Sequence, residues 1–335
     1  MDLLPFVHNA LGIEQEGDGF SRLVRFTKQQ RMSLGTHALY RAMGKTSSGC
    51  SLRFRTRGNS LSFRAKRFNQ SLLHKSGDLG YDFPKLYGGN LQMRDFFDLV
   101  IDGNLVESIP LRTGFIETSW LNKEGLMQDV QLFFPLGHQV GVKDLACNAA
   151  MVEVARSHTS MLVLGDSIVQ GVGAETPSQA LTPRLASLSG LEVINQGLMG
   201  SLFNPEVVEP LGDGRRVSKV IVGYGTNDWI LRPTLVELET VVEDLLQRLF
   251  QLYPTAGILL LSPLWRGDWE LARPMGSFSE MSAAIERVAR LFPLVTYIDC
   301  RTCIEHSKRV FADGHLHPNK EGFALFAHAL EPYLL

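Results

Sequence analysis

Cysteine is scarce, with four residues in a chain of 335. That excludes the disulfide framework on which small secreted domains rely. Cys300 and Cys303 form a lone CxxC pair. A zinc ribbon needs a second close pair, and Cys50 and Cys147 stand far apart. The pair therefore reads as small core or strand-end residues rather than a redox motif. Long apolar runs are also missing, and none approaches the roughly 18 residues of a membrane helix. The opening Met1-Asp2-Leu3-Leu4-Pro5 has neither the basic nor the apolar region of a secretory signal. A cytoplasmic protein with no membrane partner is the expectation. Nor does charge of one sign prevail: 33 Lys and Arg face 35 Asp and Glu, for a net −2. No overall field draws such a chain to nucleic acid. One basic stretch, Arg53, Arg55, Arg57, Arg64, Lys66 and Arg67, alternates with apolar residues and reads as the solvated face of strands.

What is present suits an ordinary globular protein: 44% hydrophobic and 20% charged residues, and enough length for two domains. The pattern changes near residue 155. Before it, short alternating segments dominate. Ser51–Arg55 and Ser60–Arg64 have the period of strands, and Gly58-Asn59 between them is a hairpin signal. Phe97–Ile101 runs into a second such signal, Asp102-Gly103, and Val130–Phe134 and Val140–Val142 follow. Residues 1–155 are expected to form an antiparallel, jelly-roll-like β-sandwich, with a helix around 28–43.

Residues 156–335 repeat strand, loop and helix. Met161–Leu164, Leu191–Ile194, Val220–Val222, Ile258–Leu261 and Val295–Ile298 are short apolar strands. Leu235, Leu238, Val242, Leu245, Leu246 and Leu249 share one helix face, and Ser277 with Glu280 has capping-box spacing. This is the pattern of a flavodoxin-like α/β fold, a parallel sheet with helices on both faces. Ligands of such sheets bind beyond the carboxyl ends of the strands.

Four polar segments lie at those ends. Gly165-Asp166-Ser167 follows the first strand, and Asn195–Ser201, with Gly197 and Gly200, follows the second. Gly225-Thr226-Asn227-Asp228 follows the third, and Asp313–Asn319 precedes the last helix. Taken singly, each has a plain structural explanation as a helix cap, a turn or an Asx loop. Together and in order, they resemble the four sequence blocks of SGNH (GDSL-like) hydrolases, over residues 160–335. The local sequence is not GxSxG, because Val169 stands where the second glycine would be.

The resemblance implies a serine esterase that works through an acyl-enzyme, without metal or organic cofactor. Ser167 would be the nucleophile and His317, in His317-Pro318-Asn319, its base. The backbone N–H groups of Ser167 and Gly200 and the amide of Asn227 would form the oxyanion hole, with Gly197 the alternative to Gly200. Asp313 would orient His317. Its spacing to that histidine is one residue longer than the family's Asp-x-x-His, so a backbone carbonyl in that role stays open. A two-histidine metal site at His315 and His317 is the rival reading of the segment. Asp166 and Asp228 are expected to brace loops. Trp229, Trp265, Arg266 and Trp269 would either contact the substrate or cover the core edge. Trp120 has no expected role.

The N-terminal half also resembles a known arrangement. Arg53-Phe54-Arg55-Thr56, Phe97–Gly103 and Phe133-Phe134-Pro135-Leu136 are similar to the β-sandwich that precedes the catalytic domain in some bacterial carbohydrate esterases. That implies a carbohydrate or other small-molecule ester as partner, with an acetyl group the leading acyl choice. An acyltransferase or thioesterase, or a catalytically dead carbohydrate-binding protein, remains the alternative. Oligomeric state is open.

Overall fold

The structure, a computed structural model, describes residues 2–34, 37–68, 96–212 and 214–334. In the N-terminal half the antiparallel strands form two sheets. The first runs in the order 7–8, 51–56, 128–133, 96–101, 104–110, with 151–153 also pairing on 51–56. The second runs 12–15, 21–24, 140–147, 60–67, 114–119. Alternate residues of both sheets point into one shared core, among them Leu52, Phe54, Leu61, Phe63, Phe97, Leu99, Val130, Leu132 and Val142. Phe63 and Phe97 meet edge to face at 5.1 Å, and Phe97 and Phe134 at 5.3 Å.

The two hairpin signals of the sequence have different outcomes. Asp102 and Gly103 have φ of 49° and 79°, as a two-residue type I′ turn requires, and Ile101 pairs with Asn104. Ser51–Thr56 and Ser60–Arg67 do not pair; they belong to different sheets. The side chain of Asn148 accepts from the backbone of Asn59 (2.9 Å) and Ser60 (3.2 Å), drawing the second strand to the opposite layer. The expected helix around 28–43 is two short ones, Lys28–Ser33 and Ala38–Met43. The charges on the basic strands meet carboxylates: Arg53 forks onto Asp129, Arg64 lies 3.5 Å from Asp144, and Lys66 reaches Asp18.

The last antiparallel strand ends at Glu153 and the first parallel one begins at Thr159. We number the parallel strands β1 (Thr159–Gly165), β2 (Glu192–Gly197), β3 (Arg216–Gly223), β4 (Gly257–Leu261) and β5 (Val295–Ile298). Their order is β2-β1-β3-β4-β5, the flavodoxin-like order. Strict alternation divides the strands between two cores. Met161, Val163, Val193, Ile221 and Leu259 face helices at Leu181–Ser189 and Lys320–Leu330. Leu162, Leu164, Ile194, Val220 and Leu260 face helices at Leu235–Leu252 and Phe278–Ala289. The second of these carries both bonds of the Ser277–Glu280 capping box. Among the described residues no helix is long and apolar enough to cross a membrane.

Candidate active site

β1 ends in Gly165, and the chain turns at Asp166 into a one-turn helix, α1 (Ser167–Gln170). The carboxylate of Asp166 caps this helix by accepting from Ile168 N–H at 2.9 Å. Burial, with Asp228 nearby, raises the Asp166 carboxyl to about 7. Ser167 is thereby fixed as the first helical residue, buried, with Oγ 3.0 Å from Nε2 of His317.

The other ring nitrogen of His317, Nδ1, lies 2.7 Å from Oδ2 of Asp313. Both side chains are buried. The longer spacing is absorbed by a tight loop at Gly314, whose φ of 65° favours glycine. The loop winds around the carboxylate, so that Oδ1 accepts the backbone N–H groups of His315 (2.9 Å), Leu316 (2.8 Å) and His317 (3.1 Å). Burial opposes ionisation of Asp313. The bond to His317, its charge and the backbone donors outweigh that and hold the carboxyl down at about 2. Beyond the loop, Asn319 caps the helix Lys320–Leu330 through Glu321 and Gly322 N–H, both at 3.0 Å.

His315 does not join this relay. Its Nε2 lies 3.5 Å from Asp268, and its carbonyl accepts Gly267 N–H at 2.7 Å. The two histidines therefore do not converge as metal ligands, since both nitrogens of His317 face Ser167 and Asp313.

Beside Ser167 runs the loop after β2. Gly200 has φ 78°, and Ser201 N–H donates to Leu198 C=O at 3.0 Å, which makes a turn with Gly200 at its third position. Met199 N–H donates to Oε1 of Gln170, on the serine helix, at 2.7 Å. Gly200 N–H has no acceptor among the described residues, whereas Gly197 N–H donates to Asn195 Oδ1 at 2.9 Å. Gly197 serves packing instead, for a Cβ there would stand 2.6 Å from the Val169 carbonyl carbon. Asn227 lies in the short helix Thr226–Leu231, and its Nδ2 donates to Ser201 C=O at 3.0 Å.

Two of the residues weighed as substrate contacts are inside the protein. Trp229 is fully buried, edge to face with Phe278, and its indole N–H donates to Gly276 C=O at 3.0 Å. Arg266 is equally buried, forking onto Asp268 and donating to Thr226 with its guanidinium 5.2 Å from the Trp229 ring. Trp265 is half-buried and stacked on His306, and Trp269 is exposed. Asp228 accepts from Arg232 and from Phe203 N–H. Trp120 lies in the sandwich core, its indole bonded to Gln128.

Sequence reasoning gave the N-terminal half no residue at this loop, yet Arg25, Gln30 and Tyr40 are among those that reach it. Arg25, fully buried, donates to Asn195 C=O (3.1 Å) and Gly197 C=O (2.7 Å). Gln30 pairs with Gln196, and Tyr40 OH donates to Gly200 C=O at 2.8 Å. Only Arg25 left a trace in the sequence, as a charge inside Leu23-Val24-Arg25-Phe26.

Residues 163–325 match the family model of the GDSL-like lipase/acylhydrolase family. No curated protein matches the chain in sequence. Among solved structures, a salicylyl-acyltransferase from a tetracycline biosynthetic pathway is similar in fold, with TM-score 0.75 and 17% identity over 96% of this chain and 92% of that one. A family two carbohydrate esterase from Clostridium thermocellum, in complex with cellohexaose, has TM-score 0.67 and 12% identity over 98% of both chains. An acetyl xylan esterase from the rumen bacterium Butyrivibrio proteoclasticus has TM-score 0.60 and 14% identity over 85% of this chain and 89% of that one.

Proposed function

Because residues 163–325 form a GDSL-like lipase/acylhydrolase domain, we propose that the protein is a serine esterase acting on small acyl esters. The observation that carries the reading is the unbroken relay from Ser167 through His317 to Asp313. Ser167 Oγ attacks the ester carbonyl carbon as its proton passes to His317 Nε2. The carbonyl oxygen, now negative, is met by the backbone N–H groups of Ser167 and Gly200 and by the Asn227 amide. Asp313, ionised at any working pH because its carboxyl lies near 2, holds the ring tautomer and stabilises the imidazolium. His317 then gives its proton to the leaving alcohol, and the acyl group stays on Ser167. Attack by a second hydroxyl compound, activated in the same way, releases it.

The proposed substrate is an acetylated carbohydrate, a reading supported at the level of fold by the carbohydrate esterases. The fold is shared with an acyltransferase as well, so transfer of the acyl group to an alcohol in place of water is the alternative. Two experiments test the nucleophile and the acceptor in turn. Ser167→Ala should abolish hydrolysis of p-nitrophenyl acetate, and labelling by a serine-reactive phosphonate, while the protein stays folded. A folded variant that keeps most of its activity would falsify the nucleophile. Product analysis with acetylated xylan and added acceptor alcohols then distinguishes free acetate from a transferred ester.

A further inference from the structure

The turn beside Ser167 is fixed on both sides of one peptide group. Its first flank, the peptide carrying Met199 N–H, is held by Gln170 of the serine helix at 2.7 Å. Its second flank is the peptide joining Gly200 and Ser201. There Ser201 N–H donates to Leu198 C=O (3.0 Å), and Gly200 C=O accepts from Tyr40 OH (2.8 Å). A planar trans peptide points its N–H and C=O in opposite directions, so these two bonds set its tilt. Between the flanks lies the peptide that carries Gly200 N–H, which donates to nothing among the described residues.

Tyr40 comes from the other half of the chain. It sits on the helix Ala38–Met43, whose Leu39 and Met43 are buried with Leu198, Met199 and Val172 in one small core. A Cβ on Gly200 would lie 3.7 Å from Leu39 and 3.9 Å from Tyr40, so this helix rests directly on the turn. The Tyr40 ring is itself seated by stacking on His37 at 4.3 Å.

We propose that Tyr40 is a positioning residue for the oxyanion hole, its hydroxyl holding the Gly200–Ser201 peptide so that Gly200 N–H faces the developing negative charge. This inference rests on the serine-esterase reading. A donor aimed from a rigid frame stabilises the transition state without reorganisation, and small misplacements are costly. The hydroxyl acts on the turn and not on the bound ester, so its loss should fall on turnover.

The test is Tyr40→Phe, which keeps the ring and removes one oxygen, run beside Ser167→Ala. The expected result is a fall in kcat of roughly 10- to 100-fold with KM within about twofold. The rate of phosphonate labelling should fall with kcat/KM, because labelling also builds negative charge on an oxygen in the hole. Labelling run to completion counts competent sites, and that count should equal the wild type's. A structural role alone would lower the count and leave kcat per labelled site unchanged, which overturns the proposal. A rise in KM at unchanged kcat, or kcat within twofold of wild type, overturns it as well while Ser167→Ala remains inactive. Activity surviving in Ser167→Ala instead removes the esterase reading beneath it.

Discussion

Asp313 meets His317 with one carboxylate oxygen and three backbone N–H groups with the other. Replacement by asparagine separates the two jobs. Oδ1 can still gather the loop, but an NH2 group now faces Nδ1 and forces the ring proton onto Nε2. A ring in that tautomer cannot accept the Ser167 proton, and kcat should fall by about 10⁴, as in other triads. A loss below tenfold in pre-steady-state assays would mean that something other than this carboxylate orients the ring. The same carboxyl ties stability to pH. Its folded value near 2 lies below the ordinary 3.8, so its contribution is complete above pH 4 and disappears as pH falls through 2. The shift is equivalent to roughly 2 kcal/mol. The gap in unfolding free energy between wild type and Asp313→Asn should therefore narrow between pH 4 and 2. From sequence the contact was undecided, because spacing alone does not show that three N–H groups curl the loop around the acid.

At the scale of elements, periodicity was the readable part. The five parallel strands lie where short apolar runs placed them, because each face of the sheet is buried, and the long amphipathic helix lies where the 3.6-residue repeat placed it. The strand pairing of the sandwich was less legible. Gly58-Asn59 and Asp102-Gly103 look alike as text, but only the second pair adopts positive φ; the first yields to Asn148, 89 positions beyond Asn59 in sequence. Arg25 shows what local pattern leaves out. It reaches carbonyls of Met43, Thr46, Asn195 and Gly197, joining the segment before Lys28–Ser33 to the end of β2. Burial lowers its guanidinium only to about 10, so it stays charged at neutral pH. Arg25→Met keeps the bulk and strands those carbonyls in a dry interior. The expected cost is roughly 3 to 5 kcal/mol, the range for unmaking a buried charged network. A urea midpoint unchanged from wild type would show that water replaces the guanidinium there.

At the scale of the whole molecule, buried polar contacts and one small apolar core join the halves, in part at the loop beside Ser167. His8 meets Glu192 at 2.6 Å, and Asp98 accepts from the Ser178 hydroxyl at 2.6 Å and its N–H at 2.8 Å. Arg25, Gln30 and Tyr40 close on the loop after β2. The composition break near 155 marks a change of architecture, and we propose residues 1–155 and 156–335 as the two domains. Nothing in the break reveals that the second depends on the first. The consequence is testable by cutting the chain there. Residues 156–335 expressed alone would keep Ser167, His317 and Asp313 on their own elements. They would lose every N-terminal donor to the loop, and Val172, Leu198 and Met199 would lose the apolar partners that now cover them. The fragment should therefore associate or unfold at lower urea than the full chain, and its kcat should fall at least as far as that of Tyr40→Phe. The intact chain should unfold in one transition, with far-UV and near-UV dichroism coincident, because breaking the seam exposes buried charge in both halves. A monomeric fragment with undiminished kcat would show that the oxyanion loop holds itself without the N-terminal half.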